Sequence, residues 1–172
     1  RGRRRGSAVA PRRCRKSAWG SPLGGVEGQH YYQGLFRLEP GSALLLESAL
    51  PDAVRYWNGQ LNNMRWNTID WMNRQSSLNG GQASIDADGR FRAVIALDDP
   101  GIANWLDPGG YSEGSIMLRW SGASSGPEPS LTVVPLDKLD ARLPPETIRI
   151  SPAERQEALR ARRRSVQMRR RW

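Results

Sequence analysis

From Gln29 to Leu136 the chain is a series of short runs alternating apolar with polar residues, cut roughly every ten residues by Gly, Pro, Asn or Asp. Such punctuation leaves no room for a long amphipathic helix, so this part must fold as strands. Tyr31 to Leu38 (YYQGLFRL) reads as a strand closed by Glu39-Pro40-Gly41, and Ala43 to Leu50 (ALLLESAL) as a second closed by Pro51-Asp52. In Ala53 to Asn62, Val54, Tyr56, Asn58 and Gln60 share one face, and Arg55, Trp57, Gly59 and Leu61 share the other. Arg65 to Trp71 continues the pattern. In ASIDADGRFRAVIAL, Asp88-Gly89 between branched and aromatic runs predicts a two-residue hairpin turn with Gly89 in the left-handed region. Ser115 to Trp120 and Leu131 to Leu136 supply further strands. In the first of these, alternation turns Trp120 inward with Ile116 and Leu118 and Arg119 to the opposite face. The body is expected to be all-β, a sandwich or barrel.

The period changes at Ser151. A capping hydroxyl, Pro152 at the first helical position and Glu154 in the first turn predict a helix over Ala153 to Arg171. Its apolar residues, Ala158, Leu159, Val166 and Met168, form only a thin stripe. The string RRRSV at 162–166 resembles a basophilic kinase site at Ser165, a match that arginine runs also produce by chance.

The net charge of +9 suggests nucleic acid until it is divided along the chain. Residues 1–20 carry eight basic and no acidic residues, and residues 151–172 carry eight basic and two acidic. Residues 21–150 carry ten basic and fifteen acidic, so the body is mildly acidic and no specific nucleic-acid face is expected. Segment 1–28 is rich in Arg, Gly, Ala, Pro and Ser, has no period, and reads as a disordered basic tail. With 24 Arg against 2 Lys the coding sequence is GC-rich, and an out-of-frame reading in such a sequence has this composition. Residues 1–28 are therefore expected to be foreign to the domain, with an upstream portion of a longer protein missing. The expected organisation is the tail at 1–28, a β-sandwich domain at 29–150 and a basic helix at 151–172.

Several chemistries are disfavoured. Cys14 and His30 are the only Cys and His, whereas a structural zinc site takes about four such ligands, so no metal is expected. No phosphate-binding or dinucleotide fingerprint is present, and no cofactor is expected. Asp86-Ala87-Asp88-Gly89 opens like a calcium loop, but Arg90 and Leu97 stand where oxygen ligands are needed. No apolar run approaches a membrane span, and no secretory signal follows the basic start, which favours a cytoplasmic location.

The strings RYWNGQLNNMRWNTIDW (55–71), DGRFRAVIALDDPGIANWLD (88–107) and GSIMLRW (114–120), followed by SPAERQEALRARRRSVQMR, resemble the bacterial domain of unknown function numbered 1214. The resemblance covers residues 29–170. It implies a jelly-roll-like antiparallel β-sandwich with a C-terminal helix, forming the last part of a longer protein, often behind a domain of the companion family numbered 1254. It implies no reaction.

Candidate site residues come from the body. Trp57, Trp66, Trp71, Trp105 and Trp120 occur among many amides and carboxylates, a mixture suited to polyhydroxylated ligands. The same tryptophans would equally serve as sandwich core. The long segment 98–114 is expected to fold over one opening of the sandwich, bringing Asn104, Trp105 and Asp107 near Gln60, Trp66, Asp70 and Arg74. Trp57 and Arg119 complete the expected ligand-binding set. Three readings follow: an accessory module binding a small polar or glycan-like ligand or a partner domain; part of a divided enzyme, with Asp70 or Asp99 as acid or base and Arg74 or Arg119 holding an anion; and a structural module that oligomerises through its strands.

Overall fold

Alternation and punctuation yield nine strands and one α-helix among the described residues, 15–16 and 28–169 of a computed structural model. The strands are β1 (Arg15–Lys16), β2 (Gln29–Arg37), β3 (Ser42–Ala49), β4 (Val54–Asn62), β5 (Ser77–Asn79), β6 (Arg90–Ile95), β7 (Trp105–Leu106), β8 (Glu113–Ala123) and β9 (Ser130–Pro135), and the helix is α1 (Pro152–Gln167). One sheet has the order β1-β2-β8-β4-β5, with every pairing antiparallel. The other has the order β7-β6-β3-β9, antiparallel except where β7 runs parallel to β6. The fold is thus an all-β sandwich with a C-terminal helix. Of segment 1–28, all but Arg15, Lys16 and Gly28 lies outside the described residues, as does Cys14.

The sheets meet over one apolar layer. Tyr32, Phe36, Trp57, Leu61, Ile116, Leu118 and Trp120 from the first sheet pack on Leu44, Leu46, Phe91, Ala93 and Ile95 from the second. Trp57 lies at the centre, its ring 4.8 Å from Phe91 and 5.6 Å from Trp120. Close packing fixes small residues too. At Gly114 on β8, a Cβ would lie 2.3 Å from the Asn62 carbonyl oxygen and 2.8 Å from the Phe36 ring, so only glycine fits.

The second sheet is covered on its outer face as well. There Ala43, Leu45, Val94, Trp105 and Val134 pack with Ala96 beneath Ile102, Leu139 and Leu143. Burial on both faces explains why ALLL and AVIA are apolar at every position, whereas β2 and β4 alternate.

Three expectations are corrected. Arg65–Trp71 is not a strand. Asn63 Oδ1 accepts from the backbone N–H groups of Arg65 (2.9 Å) and Asn67 (3.1 Å), the chain turns through Trp66 at φ 65°, and only Thr68 bridges back to Asn62. The asparagine side chain has taken donors that a strand would give its neighbour. At the expected hairpin, three residues rather than two separate Asp86 from its partner Arg90. Gly89 N donates to Asp86 O (2.9 Å), Asp86 N donates to Arg90 O (3.0 Å), and Gly89 has φ 75°, as in a turn with a glycine bulge. Finally, the described helix ends at Gln167.

The start of α1 follows the sequence expectation. Ser151 Oγ accepts from Glu154 N and the Glu154 carboxylate accepts from Ser151 N, a reciprocal capping box. With so thin an apolar stripe, the helix is fastened by arginines instead. Arg155 is buried, its side chain 4% exposed, and its guanidinium donates to both Asp99 carboxylate oxygens and to Ile102 O. Further along, Arg162 donates to carbonyls of the first sheet's margin.

Candidate functional site

Because Trp57, Gly59 and Leu61 point into the sandwich, their neighbours Tyr56, Asn58 and Gln60 line the outer face of β4. Ser77 and Asn79 extend this polar face onto β5. Helix α1 runs beside it and presents Arg162, Ser165 and Val166, with Arg169 just past the helix end. Those four positions follow the i, i+3, i+4, i+7 spacing of one helical face. Thr68, Trp71 and Gln82 complete the walls of a cleft of about 240 Å³.

Its electrostatics are one-sided. Arg162 donates to Ser77 O (2.7 Å), Trp71 O (3.2 Å) and Ser77 Oγ (3.5 Å), all of them uncharged oxygens. Burial lowers the pKa of this guanidinium from its ordinary value, because the charged form is taken out of water. The Arg169 guanidinium lies 5.2 Å from the centre of the Trp71 ring, so aromatic face and cation share one lip of the cleft. None of the lining residues is acidic.

The structure distributes the expected site residues. Gln60 lines the cleft, donating to Asn62 Oδ1 (2.8 Å). Trp57 is sandwich core directly behind it. Trp66 is exposed on its turn. Asp70 closes a turn, accepting from Asn73 N (3.1 Å) and Nδ2 (2.9 Å). The side-chain bond from Asn73, then its backbone bond, hold the Asp70 carboxyl below the usual range, the opposite of what a general acid needs. Arg74 and Asp107 do meet, at 3.0 Å, and Asp107 also accepts from Gly109 N.

Segment 98–114 packs down in two parts: through Leu106 it lies on the second sheet, and from Asp107 it runs beside Gln75 and Ile69 and then enters β8 of the first sheet. Asn104 is buried, donating to Ser84 O (2.6 Å) and Arg92 O (2.8 Å) and accepting from Ser84 N (2.9 Å). Trp105 is core, its Nε1 donating to Ala96 O (2.9 Å) and its face carrying the Arg155 guanidinium at 5.2 Å. The expected convergence is therefore corrected to a single pair, Arg74 with Asp107: Asn104 and Trp105 are consumed in locking the segment itself. Arg119 sits on the outer face of β8, opposite Asn58 and Tyr31 in register. Its guanidinium is 5.6 Å from the Tyr31 ring centre, and its buried Nε has no hydrogen-bond partner among the described residues.

Sequence reasoning missed Asn58, Asn79, Gln82, Arg162, Ser165 and Arg169 as one group. Two signals were present: the polar side of β4, and the repeat of Arg162, Ser165, Val166 and Arg169 on one helical face.

No family model matches the chain, and no curated protein matches it. Solved structures similar to the chain include these two. Over 67% of its length the chain matches the crystal structure of an uncharacterised protein from Burkholderia cenocepacia, at 34% identity and a TM-score of 0.62, spanning 32% of that chain. A protein from Vibrio parahaemolyticus matches over 66% at 17% identity and a TM-score of 0.49, again with 32% of that chain spanned. The chain thus spans about a third of the length of both solved proteins. Among the described residues, no helix is long and apolar enough to cross a membrane.

Proposed function

We propose that this chain is an accessory module of a larger bacterial protein, and that it binds a small polar ligand in the cleft between α1 and the outer face of β4 and β5. One observation carries the reading: amides from two strands, an aromatic ring and two guanidinium groups line the same 240 Å³ opening. Ligand sites combine a concave wall with a few convergent polar groups in this manner. At about 240 Å³ the opening falls below the roughly 300–1,000 Å³ usual for ligand pockets, which suits a compact ligand such as a single sugar ring or a small organic acid.

Two finer assignments belong to the same proposal. Membership of the family numbered 1214 is supported by the order of YW, DGRF, DPG, NWLD and LRW in the sequence. A jelly-roll connectivity is supported by a chain that crosses between the two sheets at most of its connections, including β2 to β3 and β3 to β4. The greater length of the matched Burkholderia chain favours a neighbouring domain.

The test is nuclear magnetic resonance with a panel of monosaccharides, sugar acids and small organic acids. Amide shifts are expected at Asn58, Gln60, Asn79 and Ser165. Asn58→Leu and Trp71→Ala should weaken the binding tenfold or more, with melting shifted by less than about 2 °C. A panel that perturbs none of these residues sinks the proposal.

A further inference from the structure

Resting on that reading of the cleft, we infer that its ligand carries an oxyanion: a compact polyhydroxylated compound bearing a carboxylate or a phosphate. The argument starts from how this chain treats arginines taken out of water. Arg92 faces the carboxylates of Glu47, Asp86 and Asp88, at 2.8, 2.8 and 2.7 Å. Arg155 faces both oxygens of Asp99. Arg162, half-buried in the cleft wall, has no such partner among the described residues; nor has Arg119 on β8, which meets instead the Gln29 side chain at 3.5 Å and the Tyr31 ring. The oxygens around Arg162 are the Trp71 and Ser77 carbonyls and the Ser77 hydroxyl.

The donor arithmetic leaves room for a ligand. A guanidinium has five N–H groups in a planar fork. The three oxygens around Arg162 engage Nη1 and Nη2, and the remaining hydrogens have no oxygen assigned to them among the described residues. Carbonyl oxygens hold the group in place without neutralising it. Arg169 adds a second cation on the same lip, over Trp71, and the cleft lining offers neither of them a carboxylate. The desolvation that lowers the Arg162 pKa says the same thing energetically: a charge without a counter-charge is being kept from water. An oxyanion in the cleft would supply the missing partner through charge-assisted hydrogen bonds, roughly twice as strong as neutral ones. The neutral part of the ligand is met by the strand side, where Asn58, Gln60 and Asn79 offer amides to hydroxyls. The Trp71 ring offers a flat apolar face to a sugar ring.

The experiment compares matched probes on the full chain: glucose, glucuronate and glucose 6-phosphate, by titration calorimetry at low salt with resonance mapping of the bound residues. Glucuronate or glucose 6-phosphate should bind at least tenfold tighter than glucose, and added sodium chloride should erode the difference. Arg162→Gln should bring charged and neutral probes to within about threefold of each other. Because Arg162 also fastens α1, Arg169→Gln is the second variant; it sits on the exposed lip and should lower the preference without changing the melting temperature. Equal affinity for glucose and its two anions, with shifts in the cleft, would overturn the oxyanion inference while leaving the polar-ligand reading intact. Binding of the anions that maps outside the cleft, or that survives both variants undiminished, would overturn the inference as well. Failure of every member of the wider panel to reach the cleft would overturn both.

Discussion

The Arg155 guanidinium and the Asp99 carboxylate meet edge to edge, Nε to Oδ2 at 2.8 Å and one terminal nitrogen to Oδ1 at 3.2 Å, across 56 residues of sequence. This pair holds the first turns of α1 to segment 98–106. Removing one partner of a buried pair leaves the other charge uncompensated, so Asp99→Ala should cost about 3 kcal/mol, at the low end because Asp99 is partly exposed. Arg155→Met, which removes the charge and keeps the volume, should cost less. Urea unfolding gives the two costs, and amide exchange should show α1 opening first in Asp99→Ala. Unchanged exchange along α1 would show that the pair does not fasten the helix.

At Gly89 the cost of a side chain is one of backbone conformation alone. Its φ is 75°, and nothing lies within 4 Å of where a Cβ would stand. Gly89→Val should therefore destabilise by about 2 kcal/mol, and Gly89→Asn by less, because asparagine tolerates the left-handed region. Equal denaturation midpoints for the two variants would contradict this.

Asp88 ties acid stability to the same turn. Its bond to the Arg92 side chain, foremost among the causes, brings its pKa down from 3.8 to about 2. A carboxylate whose folded pKa lies below its unfolded one stabilises the fold above the unfolded value, and that stabilisation is lost as pH falls through the folded value. The contribution of Asp88 should thus be complete above about pH 4 and disappear towards pH 2. Asp70, Glu154 and Glu157 are lowered too and add to the loss in acid. In Asp88→Asn the fall of stability between these pH values should be shallower, as read by urea midpoints across a pH series.

Two tryptophans separate core from surface. Trp57 is 5% exposed and Trp66 is 53% exposed. Trp57→Ala should cost about 3–5 kcal/mol, and Trp66→Ala within about 1 kcal/mol of zero. Similar costs at both positions would mean that Trp66 packs against something in solution.

How much of this was legible in the sequence depends on which force decided each element. Where side-chain period and burial decide, as in β2, β4 and β8, reading every second residue separated the two faces and placed Trp120 inside and Arg119 on the opposite face, but it did not say which face of β4 is core, and Trp57, expected at the ligand, is buried there. The capping box at Ser151 and Glu154 was legible because it is local. Arg65–Trp71 was misread because the Asn63 side chain overrides the strand pattern, and nothing in the alternation records that. The candidate site was the least legible part. Asn104 and Asp107 look like ligand groups in a list of polar residues, yet each is committed to a neighbouring backbone N–H. The helix face that does line the cleft looked like surplus charge, because only the packing of α1 on the β4–β5 margin gives it a partner surface.

The margins of the two sheets carry a consequence for self-association. Among the described residues, β1 and β7 are two residues long and β5 three, so none offers an incoming strand more than a few backbone groups. β9, with six residues ending at Pro135, is long enough to be extended, and so is β2, whose nine residues meet β1 only at Tyr32 and Gln33. Runaway stacking into fibres needs two usable edges per molecule, one to receive and one to give. β2 and β9 lie in different sheets, so two copies splicing β9 to β9 across a twofold axis would leave the β2 edge open, and such a pair would not by itself close off growth.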